Sequence, residues 1–102
     1  MTARIRFHPS ARDELRAAAV WYERARAGLG AEFHEEVEQA IDRLASRSIP
    51  GTPVQTPGRH LLERVFLHRF PYAIYFQFLG ESCVIWAVAH GSRSPFYWQS
   101  RL

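Results

Sequence analysis

Residues 72–89 read YAIYFQFLGESCVIWAVA, and this stretch decides the fold. Side chains alternate across a strand, so a period of two assigns each residue to a face. Tyr72, Ile74, Phe76 and Phe78 share one face of a first strand, with Ala73, Tyr75 and Leu79 on the other. Cys83 to Ala89 forms a second strand, in which Ile85 and Ala87 oppose Val84, Trp86 and Val88. Gly80-Glu81-Ser82 is the short turn that makes the pair a hairpin. Leu61 to Leu67 adds a strand upstream, turned into the hairpin by Arg69-Phe70-Pro71. Both faces of these strands are apolar, so the sheet needs a cover on each side.

Towards the N-terminus the period changes. Ala3 to His8 alternates apolar and basic residues and predicts a short strand that Pro9 and Ser10 stop. Ser10 followed by Asp13 matches a helix start in which a hydroxyl caps an amide and an acid reaches back. Ala11, Leu15, Ala18 and Tyr22 then form one face of a helix running to about Arg26. Gly28-Leu29-Gly30 breaks it, and a second helix carries Phe33, Val37, Ile41 and Leu44 on one face. So short a link makes the two helices an antiparallel hairpin. Residues 50–58, PGTPVQTPG, are expected to form a loop. The class is α+β: an N-terminal strand, then an antiparallel helical hairpin packed on one face of a mostly antiparallel three- to four-stranded sheet, then an aromatic tail. Two helices cover one face. The second is left to the tail (Phe96, Tyr97, Trp98), to self-association or to another protein. Aromatics suit a binding surface, so removing Phe96 to Leu102 is expected to leave a folded chain.

The 102 residues are expected to form a single domain spanning 1–102. A composition 47% hydrophobic excludes a disordered chain. No stretch approaches the roughly 20 apolar residues of a membrane span, and no secretion signal opens the sequence, so a cytoplasmic protein is expected. The lone cysteine, Cys83, excludes a disulfide framework. His8, His34, His60, His68 and His90 never fall at a close ligand spacing, so neither a metal nor another cofactor is expected. Residues 1–51 balance eight arginines against eight acids, whereas residues 52–102 hold Arg59, Arg64, Arg69, Arg93 and Arg101 against Glu63 and Glu81. The whole net charge of +3 therefore lies in the second half. Every basic residue is arginine, which grips phosphate and keeps its proton. Any proton transfer falls to His, Glu, Asp, Tyr or Cys.

Several strings, in this order, resemble the RelE/ParE family of bacterial type II toxins. They are Phe7-His8-Pro9 with Ala11 and Glu14-Leu15, then Trp21-Tyr22-Glu23, and Gly28-Leu29-Gly30 with Phe33. Arg69 to Tyr75, Val88 to Arg93, and Pro95, Tyr97 and Trp98 complete the set, which spans nearly the whole chain. The resemblance implies a growth-inhibiting toxin, of the kind that also stabilises plasmids, wrapped by a cognate antitoxin in a hetero-oligomer. One branch cleaves messenger RNA in the ribosome without a metal. The ParE-like branch inhibits DNA gyrase and is not known as a nuclease. The absence of lysine and the Arg-Ser-Pro-Phe-Tyr-Trp ending bring this chain closer to the ParE-like branch. A protein-binding relative without toxicity is a third reading.

The candidate residues follow from these readings. For a nuclease, His90 is the acid or base, Arg64, Arg69 and Arg93 hold phosphate and Tyr97 stacks on a base. Otherwise His90 is a hydrogen-bonded structural residue and Arg93 a loop or antitoxin contact. Arg59, Arg64, Arg69, Arg93 and Arg101 are the candidate contacts to the target or to nucleic acid. Trp21, Tyr22, Tyr75, Trp86 and Trp98 are the candidate antitoxin contacts. Glu63 is expected to pair across the sheet.

Overall fold

The apolar hairpin becomes the middle of the sheet. A computed structural model of the chain describes residues 2–102. In chain order its elements are β1 (Arg4–Phe7), α1 (Pro9–Ala25), α2 (Leu29–Ala45), β2 (Thr52–Gln55), β3 (Leu61–Phe66), β4 (Tyr72–Leu79) and β5 (Ser82–His90). A short 3-10 turn, Gln99–Arg101, lies near the end of the tail. The strands form one sheet in the order β1-β5-β4-β3-β2. β1 runs parallel to β5, and every other neighbouring pair is antiparallel. This is the α+β architecture that the periodicities imply, with five strands instead of three or four. The extra strand is β2, inside the segment expected to be a loop. Pro53 lies opposite Glu63 on this outermost strand, and an edge strand tolerates proline because one row of its backbone groups has no partner.

His8, not Ser10, caps α1: its Nδ1 accepts from the Ser10 amide at 3.1 Å, and Pro9 opens the helix. Proline suits that position because its missing N–H would have had no helical partner. Glu23, near the end of α1, caps the start of α2. Its carboxylate accepts from the Gly28 amide at 2.9 and 3.1 Å and from the Gly30 amide at 3.1 Å. Gly28 takes the left-handed backbone that the turn requires, with φ 89°. The hairpin then buries Ala11, Leu15, Ala18, Phe33, Val37, Ile41 and Leu44 against Ile74, Phe76, Ile85 and Val88.

Ile85 and Val88 on one face cannot follow a strict period of two. The register of β4 against β5 slips between Tyr75 and Phe76, so Trp86 is a bulge residue without a direct partner. One extra residue reverses the phase of the rest of the strand. Val88 therefore joins the helix side, and Ala87 faces the other way with Leu62 and Trp98.

The tail covers that other face. Trp98 is 2% exposed and packs with buried Leu62 and Ala87. Tyr75, Trp86, Phe96, Tyr97 and Leu102 surround them, and the Tyr75 and Trp98 rings lie 4.6 Å apart. Phe96 adopts a left-handed backbone, φ 59°, within this turn, at a cost of about 1–2 kcal/mol for a non-glycine residue. The tail is thus the second layer of the core. Its burial argues against the expectation that the chain folds without residues 96–102, and it removes Trp98 from the residues free to meet an antitoxin.

Trp98→Ala is expected to cost about 3–5 kcal/mol, as aromatic truncations in cores do. That is a large part of the roughly 5–15 kcal/mol that holds a small protein folded. Deletion of residues 96–102 should abolish the cooperative transition in urea followed by far-ultraviolet circular dichroism. A truncated chain with the full-length midpoint would show that the tail adds nothing to the core.

Candidate functional site

β1 ends at Phe7 opposite Ile85, and the His8 amide takes the Ile85 carbonyl at 2.9 Å. Beyond that point β5 has no strand on this side. Two side chains from distant parts of the chain take its place. Glu14 on α1 accepts from the Val88 amide at 3.0 Å through Oε1. Arg101 in the tail donates to the Trp86 carbonyl at 3.0 Å through Nη1. Arg101 also grips Glu14 with both terminal nitrogens, at 2.9 and 2.8 Å, and the Tyr97 hydroxyl donates to Glu14 Oε2 at 2.5 Å. Only 16% of the Glu14 side chain and 14% of that of Arg101 are exposed.

Burial alone would raise the Glu14 pKa, but the bonds from Arg101, Tyr97 and Val88 outweigh it and hold the carboxyl below its usual value. The Tyr97 phenol is pushed upward, by burial first and by Glu14 second, and so keeps its proton. Sequence reasoning passed over Glu14. The available signal was its spacing: it lies three residues after Ala11 and four before Ala18, a charge on the buried stripe of α1. The same network corrects the place of Arg101. It is an internal cation that latches the tail, and its donors are used inside the protein.

Beside this network lies a cavity of about 310 Å³. Glu14, Ala17, Ala18 and Trp21 of α1 form one wall, Tyr72, Val88 and His90 of the sheet another, and Arg93 and Tyr97 the rim. His90 ends β5. The Ser92 amide donates to its Nδ1 at 3.0 Å, with Ser92 Oγ at 2.8 Å, and the ring meets the edge of Tyr72 at 5.1 Å. An amide can only donate, so this network assigns Nδ1 as the acceptor and leaves Nε2 as the free nitrogen. The Arg93 guanidinium stacks 3.8 Å above the Tyr97 ring. His90, Arg93 and Tyr97 are therefore brought together.

Arg64 is not with them. It lies on β3 opposite Tyr75, with its Nε buried and unpartnered and its guanidinium 4.9 Å from the Phe66 ring. Arg69 is paired with Glu32 at 2.8 Å, and Arg59 occupies the β2–β3 turn at φ 66°. Glu63 makes no ion pair among the described residues. Among the proposed antitoxin contacts only Trp21, 69% exposed, stands clear of the protein. Tyr22 packs among Phe33, Phe70 and Tyr72, Tyr75 lies against Trp98, and the Trp86 indole donates to Gln77 Oε1 at 3.3 Å. Among the described residues no three His, Cys, Asp or Glu side chains converge on a metal position, and no helix is long and apolar enough to cross a membrane.

The depressed Glu14 pKa fixes the sign of a pH effect. The carboxylate stabilises the fold fully above its unfolded pKa, roughly 4.3, and the contribution is lost as pH falls through the lower folded value. Glu14→Gln is expected to cost about 2 kcal/mol at pH 7, the scale of hydrogen bonds to a charged group. Urea midpoints of the two proteins, measured from pH 7 downward, should converge in acid. A difference that stays constant with pH would show that the charge of Glu14 is irrelevant.

Comparison with known proteins bears on what this arrangement belongs to. No curated protein matches the sequence. In fold, the chain is similar to one chain of the chromosomal ParDE toxin–antitoxin system of P. aeruginosa, with a TM-score of 0.73 at 16% identity. That match covers 87% of this chain and 96% of the other. Residues 5–95 match the family described as the ParE toxin of the type II toxin–antitoxin system parDE. The chain belongs to the ParE family of type II toxins.

Proposed function

We propose that this toxin acts by binding and inhibiting DNA gyrase, and that a cognate antitoxin neutralises it in the cytoplasm as a hetero-oligomer. The observation that carries the reading is the proton inventory of the cavity. Metal-independent cleavage of RNA needs one group to take the proton of the 2′-hydroxyl and another to supply one to the leaving oxygen. Glu14 is occupied by Val88, Tyr97 and Arg101, and Tyr97 is held protonated by burial and by its bond to Glu14. His90 is left as the one group there placed to exchange protons. Such an inventory suits a surface that binds, with Arg93 as its cation and Trp21 as an exposed apolar contact on the same cavity. Arg59 and Arg69 extend the charge elsewhere on the surface. Family membership favours the same target.

The convergence of His90, Arg93 and Tyr97 on one cavity favours a second reading, cleavage of messenger RNA in the ribosome. Purified components separate the two. Supercoiling by gyrase should be inhibited, with ribosome-bound messenger RNA left intact. His90→Gln should weaken inhibition by less than about tenfold, the worth of one hydrogen bond. Site-specific cleavage by the wild-type chain, reduced by about 10²–10⁴ in His90→Gln as loss of acid–base catalysis requires, would overturn the gyrase reading.

A further inference from the structure

We infer that Glu14 and Arg101 act together as a surrogate strand that closes the free edge of β5 against pairing with a second copy of this chain. The inference is independent of the toxin's target. An unpaired strand edge is a template for another chain, most of all when the segment is apolar, uncharged and free of proline. Cys83 to Ala89 is such a segment, with no charged residue, glycine or proline. Its Trp86–His90 part lies beyond the end of β1.

A neighbouring strand would offer this edge carbonyls and amides in alternation. Glu14 offers an acceptor to the Val88 amide, and Arg101 offers a donor to the Trp86 carbonyl. The donor and acceptor roles are those of a strand, and the Arg101 and Tyr97 bonds to Glu14 join the two side chains into one unit. The other sheet edges carry guards of their own: Arg4 and Arg6 are exposed on β1, and Pro53 lies on β2. The end of β5 has no charge or proline of its own and borrows the protection from α1 and the tail. The occupant that this excludes is a second copy. Two such edges related by a two-fold axis place the same uncharged segment antiparallel to itself, with no repulsion to prevent pairing.

The test exchanges the two charges in the full-length chain. Glu14→Arg with Arg101→Glu keeps an ion pair but turns a donor towards the Val88 amide and an acceptor towards the Trp86 carbonyl. The wild type should be monomeric in sedimentation equilibrium, and the exchanged variant should self-associate as its concentration rises. Hydrogen exchange at the Val88 amide should quicken by about tenfold or more, the worth of a hydrogen bond to a charged group. Arg101→Met, which removes the donor but keeps an apolar stem, is the second variant should the exchange fail to fold, and it should also self-associate. Leu44→Ala weakens the helix side of the core with the latch intact and should stay monomeric. A monomeric exchanged variant with wild-type protection at Val88 would reduce the pair to a salt bridge and overturn the inference. So would a monomeric Arg101→Met, equal self-association by Leu44→Ala, or a wild type that already dimerises.

Discussion

A sheet that is apolar on both faces must be covered on both, and here the two covers come from unlike sources. The helical hairpin supplies one layer through regular apolar stripes on α1 and α2. The other layer is a tail whose only regular element is a single 3-10 turn. Its own backbone hydrogen bonds are local turns, such as Gln99 to Phe96 and Arg101 to Trp98, which set its shape but not its place on the sheet. Its position depends on burial of Trp98 and on the grip of Glu14 upon Tyr97 and Arg101. Ion pairs at exposed positions contribute little, but here the partners are largely withdrawn from water. Removing one would leave the other charge without compensation. The tail and α1 therefore stand or fall together.

This dependence also builds the cavity. Glu14 lines it from α1, while Arg93 stacks on the Tyr97 ring. His90 is set by the end of β5 and by Ser92. The cavity thus gathers a carboxylate, a phenol, an imidazole and a guanidinium, the types expected of a hydrolytic centre. The carboxylate and the phenol are hydrogen-bonded to one another and, with Arg101, hold the tail to α1.

The elements whose signal is local were legible in the sequence. α1 follows from its apolar stripe, and β3, β4 and β5 from their apolar runs, each within a residue or two of its observed bounds, whereas α2, legible from its stripe, opens at Leu29 inside the segment expected to separate the helices. Long-range relations were not legible. The bulge at Trp86 reverses the phase of β5, and no local pattern marks it, because Val84 to Ala89 is apolar at every position. β2 was hidden by the prolines of its segment, which exclude a central strand but not an edge. The cap of α1 was assigned to the serine hydroxyl, where an imidazole two residues earlier does the work. Arg101 was read as a surface charge because its partner lies 87 residues away. Glu14 stands within a family string, and its place on the apolar stripe of α1 is the sign of a buried acid in need of a cation.

The same relations bear on how a partner surface can be mapped. A residue that the fold requires loses toxicity when it is changed because the protein is lost. Trp98, Arg101 and Tyr75 belong to this group, and their aromatic or basic character is explained without a partner. A surface for recognition must be built from side chains that the fold leaves free. Trp21, Val20 and Phe66 are exposed apolar residues, and Arg93 rests on Tyr97 at the mouth of the cavity. Trp21 and Arg93 border the same cavity, so one partner can reach both at once. Exposed residues of α1 and of the start of the tail thus adjoin one cavity, whereas the end of the tail serves the core.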